Sequence, residues 1–394
     1  MKTFKIGLLP RILIAIVLGV LCGMFFPEWA VRCFVTFNSV FSHFLSFLIP
    51  LIIVGLVTPA IADIGKGAGK LLLITAMIAY GDTVFSGYLS YFVSTGIFPM
   101  LIDPAKATEA VATAGEIEPF FTIEIPPLLD VMSALISAFV MGLGISFFES
   151  PTLKKCFDEF RDIVAKTIEV ALIPILPLFI FSIFLNMSFT GQAWHIINVF
   201  ITIIGVIFVM HIFLLVFQYC IAGAISRRNP FRALYNMLPA YFTALGTSSS
   251  AATIPVTLKQ AKKNGVSEGI AGFVVPLCAT IHLSGSAMKI TACAVALLLM
   301  QGGSIDIGLF TGFILMLGVM MVAAPGVPGG AIMAALAVLQ SILGFTPDQQ
   351  AVMIALYITM DSFGTACNVT GDGAIALVIE RIYNRADAHR ETDA

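Results

Sequence analysis

The chain has 394 residues, of which 59% are hydrophobic and only 11% charged, with a formal net charge of -2. Soluble globular chains carry about 25% charged residues, so this composition excludes a water-facing globular fold and leaves an integral membrane protein. The near-neutral balance singles out no partner by charge, and the seven scattered cysteines lack paired metal-like spacing and read as small thiols in apolar segments.

Lys2, Lys5 and Arg11 precede an apolar run, Ile12 to Phe26, that ends in Phe-Phe-Pro-Glu-Trp without a small-residue cleavage site. It reads as a retained first span rather than a signal peptide. Segments near the roughly 20 apolar residues that cross a bilayer predict spans at 10–27, 41–62, 71–95, 129–149, 168–187 and 194–225. Two interrupted segments, 235–258 and 306–344, then alternate with two longer ones, 270–300 and 348–383.

Threading these spans puts most Lys and Arg on one side, including Lys66, Lys154, Lys155, Arg161, Arg227, Arg228, Lys262 and Arg381, with Arg32 the exception. The positive-inside rule makes that side cytoplasmic, so both termini are expected there. The opposite side receives an acidic connector, Gly96 to Ile125, with Asp103, Glu109, Glu116, Glu118 and Glu124 against Lys106, expected to be a mobile outer loop. The charge pattern holds only if 235–258 and 306–344 each enter and leave on one side, as re-entrant hairpins from opposite faces.

The first hairpin turns at Gly246 to Pro255, where Ser248, Ser249 and Ser250 supply hydroxyls. The second turns at Ala324 to Gly330, where Pro325 and Pro328 lack N–H groups and Gly326, Gly329 and Gly330 permit turns. Backbone that is not helical survives in hydrocarbon only where protein or a wet cavity satisfies it. Two such tips suit a substrate site at the bilayer midplane of an inverted-repeat transporter.

In the last span Asp361, Thr365, Asn368 and Asp372 are spaced four, three and four apart, which places them on one helical stripe. An ionised Asp at mid-bilayer costs roughly 2.5 to 3.5 kcal/mol and usually marks a ligand, an ion path or a proton relay. Asp361 suits a substrate ammonium, and Asn368 and Asp372 offer hard oxygens for a small cation. The span before the second hairpin carries Thr280, His282, Ser284 and Ser286, then Lys289, the only formal charge between Gly269 and Ile305. Asp82 is one candidate partner for Lys289, which reads equally as structural or functional. His282 reads as a cation-site neighbour, a protonatable coupling group or a packing residue.

With the serine-rich tip, the Gly-Val-Pro-Gly tip and Asn368-Val369-Thr370-Gly371-Asp372 in place, the chain resembles the dicarboxylate/amino acid:cation symporters, bacterial and archaeal relatives of animal glutamate and neutral amino acid transporters. The resemblance covers nearly the whole chain. It implies an all-α integral membrane protein of eight transmembrane helices plus two re-entrant helical hairpins with inverted repeats. It also implies a homotrimer and elevator movement. Residues 1–232 would be mainly scaffold, 233–384 the core transport region and 385–394 a cytoplasmic tail, in a bacterial inner membrane. Substrate contacts are expected from Ser248, Ser249, Ser250, Val327, Pro328, Gly329, Asp361, Gly364, Thr365 and Asn368, and sodium contacts from Cys278, Thr280, His282, Asn368 and Asp372.

Two departures matter. Where the family carries Asn-Met-Asp-Gly-Thr, this chain has His282, Leu283, Ser284, Gly285 and Ser286, so part of the sodium machinery is altered and proton coupling stays open. Members that carry acidic amino acids place Arg where this chain has Gly364, which favours a small neutral amino acid such as serine, threonine or alanine. The alternative is an acidic amino acid, a dicarboxylate or cystine, with Lys289 as the positive group. An anion channel lined by the same hydroxyls is a competing class. No nucleophile and base pair points to an enzyme, no cofactor beyond the coupling ion is implied, and nothing suggests nucleic acid.

Overall fold

The computed structural model describes residues 8–64, 70–101, 117–191, 193–303, 305–324 and 328–392, and among them every regular element is a helix. The first half holds α1 (Leu8–Gly23), α2 (Glu28–Ile64), α3 (Lys70–Leu101), α4 (Val131–Phe147), α5 (Pro151–Thr167), α6 (Ile173–Phe189) and α7 (Ala193–Ser226). Asp130 starts α4 by accepting the Ser133 amide at 2.9 Å, the usual service of a short acidic side chain at a helix start. A π turn at Ile168–Leu172 joins α5 to α6 just ahead of Pro174 and Pro177. Those prolines have no N–H to continue an α ladder, and a widened turn accommodates them.

Five described helical stretches are long and apolar enough to cross a bilayer: Glu28–Ala62, Leu71–Leu101, Pro151–Phe189, Phe200–Ser226 and Glu268–Met300, the last interrupted at His282 and Leu283. A bent pair near the C-terminus makes a sixth if counted as one span. The expected eight are therefore not all matched by length, because α1 and α4 have only 16 and 17 residues. At 1.5 Å per residue they reach roughly 24 to 26 Å, somewhat short of a hydrocarbon core of about 30 Å. Two expected boundaries also move: α2 starts at Glu28 rather than near 41, and the span expected at 168–187 is part of a 39-residue rod.

The expected outer loop is partly held in place. Asp103, Lys106, Glu109 and Glu116 lie outside the described residues, but the segment from residue 117 onward is strapped along α2. Arg32 donates to the Glu118 carbonyl at 2.9 Å and stacks over Phe120, and the Phe120 amide donates to Thr36 at 2.9 Å. Arg32, the exception to the charge rule, is thus a structural clamp.

The second half holds α8 (Pro230–Thr247), α9 (Ser250–Lys263), α10 (Glu268–Ile281), α11 (Ser284–Met300), α12 (Ile307–Ala323), α13 (Gly330–Ser341), α14 (Pro347–Thr359) and α15 (Asp361–Thr392). α8 packs on α9 and α12 on α13, so both interrupted segments are helical hairpins. Ser248 (φ 49°) makes the first turn and Gly329 (φ 77°) closes the second. Within that second tip Pro325, Gly326 and Val327 lie outside the described residues. The segment expected as a tail from 385 continues α15 as far as Thr392.

The two segments expected to be continuous are both broken. α10 and α11 part at His282 and Leu283, and α14 and α15 meet at Met360 with a bend of 63°. The buried apolar side chains form two cores. One joins α1, α2 and α4 to α6 with α11 to α14, and the other joins α8 to α10, while α3, α7 and α15 contribute to both. His282 falls between Ile281 of one core and Leu283 of the other, and Gln218 between Tyr219 and Leu215. The polar residues occupy the seam.

Candidate functional site

α15 begins at Asp361, so its first turn presents unpaired amides and the positive end of the helix dipole to that carboxylate. Both hairpin tips arrive there. The Gly329 amide donates to Asp361 Oδ2 at 2.9 Å, and the hydroxyls of Ser248 and Ser362 are 2.6 Å apart. Consecutive residues of one helix therefore anchor the second and the first tip. Ser249 caps α9 by accepting the Ala252 amide, and Ser250 is buried in the first turn. Pro328 borders the tip, whereas Val327 lies outside the described residues. Thr365 turns its hydroxyl to the Asp361 carbonyl at 2.9 Å.

The Lys289 ammonium lies 3.5 Å from Asp361 Oδ1, 3.2 Å from the Met360 carbonyl and 3.7 Å from the centre of the Tyr357 ring. This corrects the pairing with Asp82 considered from sequence: Asp82 is taken by His282, and α14–α15 supplies the partner of Lys289. A Cβ placed on Gly364 would stand 2.4 Å from both Cε and Nζ of Lys289. The absent side chain at 364 is what admits the lysine head.

Asn368 faces inward and holds the start of α11. Its Oδ1 accepts the amides of Gly285 at 2.8 Å and Ser286 at 3.3 Å, and its Nδ2 donates to Ser286 Oγ at 3.1 Å. A broken helix exposes its first amides, and Asn368 satisfies two of them from another helix. Ser286 in turn meets the Tyr357 hydroxyl at 2.9 Å.

Further along α15, Asp372 Oδ1 lies 2.9 Å from His282 Nδ1, while His282 Nε2 lies 2.7 Å from Asp82 Oδ2. Gln218 also donates to Asp82, at 2.6 Å. Asp372 is thus joined through the His282 ring to Asp82. Its other oxygen, Oδ2, is buried with no hydrogen-bond partner among the described residues, as are Gln218 Oε1 and Thr370 Oγ1. Cys278 is buried and its carbonyl accepts the His282 amide at 2.9 Å; Thr280 is exposed and its hydroxyl donates to the Leu277 carbonyl at 2.7 Å. These two expected cation ligands stand in the last turn of α10, where the Cys278 carbonyl is already taken by the His282 amide.

The structure brings together Ser248, Gly329, Asp361, Gly364 and Thr365 at one end of the stripe, and His282, Asn368 and Asp372 along the rest. It adds residues that sequence reading passed over. His211 meets the Gly285 carbonyl at 3.0 Å, and Ser86 and Ser90 donate to the Ser284 and Met288 carbonyls, each at 2.8 Å. Their signal was present: Asp82, Ser86 and Ser90 recur every four residues, and His211 and Gln218 are seven apart in an otherwise apolar helix.

Several known proteins are similar in sequence to this chain. The serine/threonine transporter SstT of Acinetobacter baylyi is 24% identical over 396 residues, covering 96% of this chain and 98% of the relative. Mouse excitatory amino acid transporter 4 is 32% identical over 162 residues, 41% of this chain and 29% of the relative. Mouse excitatory amino acid transporter 3 is 27% identical over 264 residues, 65% of this chain and 50% of the relative. The match thus spans half or less of these two excitatory transporters. The model of the sodium:dicarboxylate symporter family matches residues 8–382, and the chain belongs to that family.

Proposed function

We propose that this protein is a secondary active symporter that imports a small neutral amino acid, such as serine, threonine or alanine, on a sodium gradient. The observation that carries this reading is Asp361, at a helix start, touching one hairpin tip while its neighbour Ser362 touches the other. A solute ammonium bound to that carboxylate would sit where both tips close. The full-length serine/threonine transporter among the relatives supports the substrate class.

Charge counting supports a neutral substrate and a coupling cation. Asp361 and Lys289 cancel. The two hydrogen bonds of the His282 ring each need a proton, so Asp82, His282 and Asp372 together carry -1 wherever those protons reside. One monovalent cation restores neutrality beside a zwitterionic solute, and the orphaned Asp372 Oδ2 is a hard oxygen suited to sodium. An acidic amino acid would need a second cation. That alternative is favoured by one observation, the Lys289 ammonium in the space above Gly364.

In this reading the hairpins and the last two spans ride as an elevator against a scaffold drawn from 1–232, within a homotrimer in the cytoplasmic membrane. Uptake of radiolabelled serine, threonine, alanine and aspartate into proteoliposomes, under separate sodium and proton gradients, tests it. Sodium-driven uptake of a neutral amino acid is expected. No uptake of any of these under either gradient, or current without solute movement, would overturn it.

A further inference from the structure

We propose that Lys289 receives the carboxylate of the transported amino acid, so that Lys289 and Asp361 together select a zwitterion; the assignment rests on the amino-acid reading of this site.

Lys289 is fully buried, yet its ammonium is delivered to the break between α14 and α15, beside the carboxylate that anchors the second hairpin tip. The head group fills the volume a side chain at 364 would claim, since even a Cβ there would stand 2.4 Å from Nζ. The site's cation therefore comes from α11 across the absent side chain of α15. Its separation from Asp361, 3.5 Å, exceeds the 2.7 to 2.9 Å typical of a closed charge-assisted hydrogen bond. The pair is opposed but not locked.

An α-amino acid brings one ammonium and one carboxylate to this pair. It replaces one loose ion contact by two without burying net charge. An amine without a carboxylate would leave Lys289 unpaired, and an acid without an ammonium would leave Asp361 unpaired. A buried charge without its partner is strongly unfavourable. A lysine serving only as a structural counter-ion would exert no such preference among ligands.

Titration of the purified full-length protein in saturating sodium with serine and with ethanolamine, which is serine lacking the carboxylate, reads this directly. The wild type is expected to prefer serine by roughly tenfold or more, the scale of one charge-assisted contact. Lys289→Met should reduce that ratio at least about tenfold, because Asp361 then needs only an ammonium. If that variant does not fold, Lys289→Gln, which keeps a polar head for the Met360 carbonyl but no charge and leaves Asp361 in place, should also lose the preference for serine. Persistence of the wild-type ratio in either folded variant would overturn the assignment while leaving the symporter reading intact. Failure of the wild type to bind any amino acid would remove both.

Discussion

His282 Nδ1 lies 2.9 Å from the carboxylate of Asp372, and the opposite nitrogen of the same ring lies 2.7 Å from Asp82. One imidazole thus ties α15 to α3 through the gap between α10 and α11. Replacing it by alanine leaves two carboxylates facing a buried space. His282→Ala is expected to destabilise the protein by about 3 to 5 kcal/mol, the usual cost of breaking a buried ion pair from one side. Thermal unfolding of the detergent-solubilised protein checks this, and an unchanged midpoint would contradict the bridging role.

Asn368 offers a second test of the broken span. Its Oδ1 holds the Gly285 and Ser286 amides, and its Nδ2 holds the Ser286 hydroxyl. Asn368→Ala abandons two amides at a buried helix start, each costing about 1 to 3 kcal/mol when unsatisfied. Asn368→Ser keeps a neutral hydroxyl acceptor without burying a charge and should lose less stability than Asn368→Ala. Comparing the two thermal midpoints separates the capping of α11 from a direct role in binding, because only the latter would make both variants equally inactive in uptake.

At Gly285 α11 lies tight against α15. A Cβ there would meet the Gly364 carbonyl at 2.8 Å and Cys367 Cβ at 2.7 Å. Backbone and Cβ atoms cannot swing aside as a lysine head can. Gly285→Ala is expected to cost about 1 to 3 kcal/mol through overpacking, read as a lower yield of monodisperse protein and a lower thermal midpoint. Gly364→Ala should instead displace Lys289 and act mainly on ligand affinity.

The hairpins and the polar stripe were legible because local chemistry marks them: serines and prolines at tips, and a four, three, four spacing from Asp361 to Asp372. The breaks at His282 and Met360 were not, since neither carries a proline and both depend on groups supplied by distant helices. Asn368 caps α11, and His282 is drawn out by two carboxylates. The partner of Lys289, for which Asp82 was one candidate, stayed open for the same reason. Asp361 is buried and Asp82 half-buried, on two different helices, and only the absent side chain at 364, together with the claim of His282 on Asp82, decides between them.

The two tips should differ in what they lose when released from α15. The first is tied by a hydroxyl pair, Ser248 and Ser362, so Ser248→Ala removes one neutral hydrogen bond worth about 0.5 to 1.5 kcal/mol. The second is tied by the Gly329 amide to the charged Asp361, a bond worth about 1.5 to 3 kcal/mol. Asp361→Asn weakens that bond and also strands the Lys289 ammonium. Amide hydrogen exchange at Gly329 should therefore accelerate markedly in Asp361→Asn and stay near wild type in Ser248→Ala. Amino-acid binding should vanish in the former and weaken by no more than about tenfold in the latter. Equal exchange at Gly329 in both variants would mean that Asp361 does not hold the second tip closed.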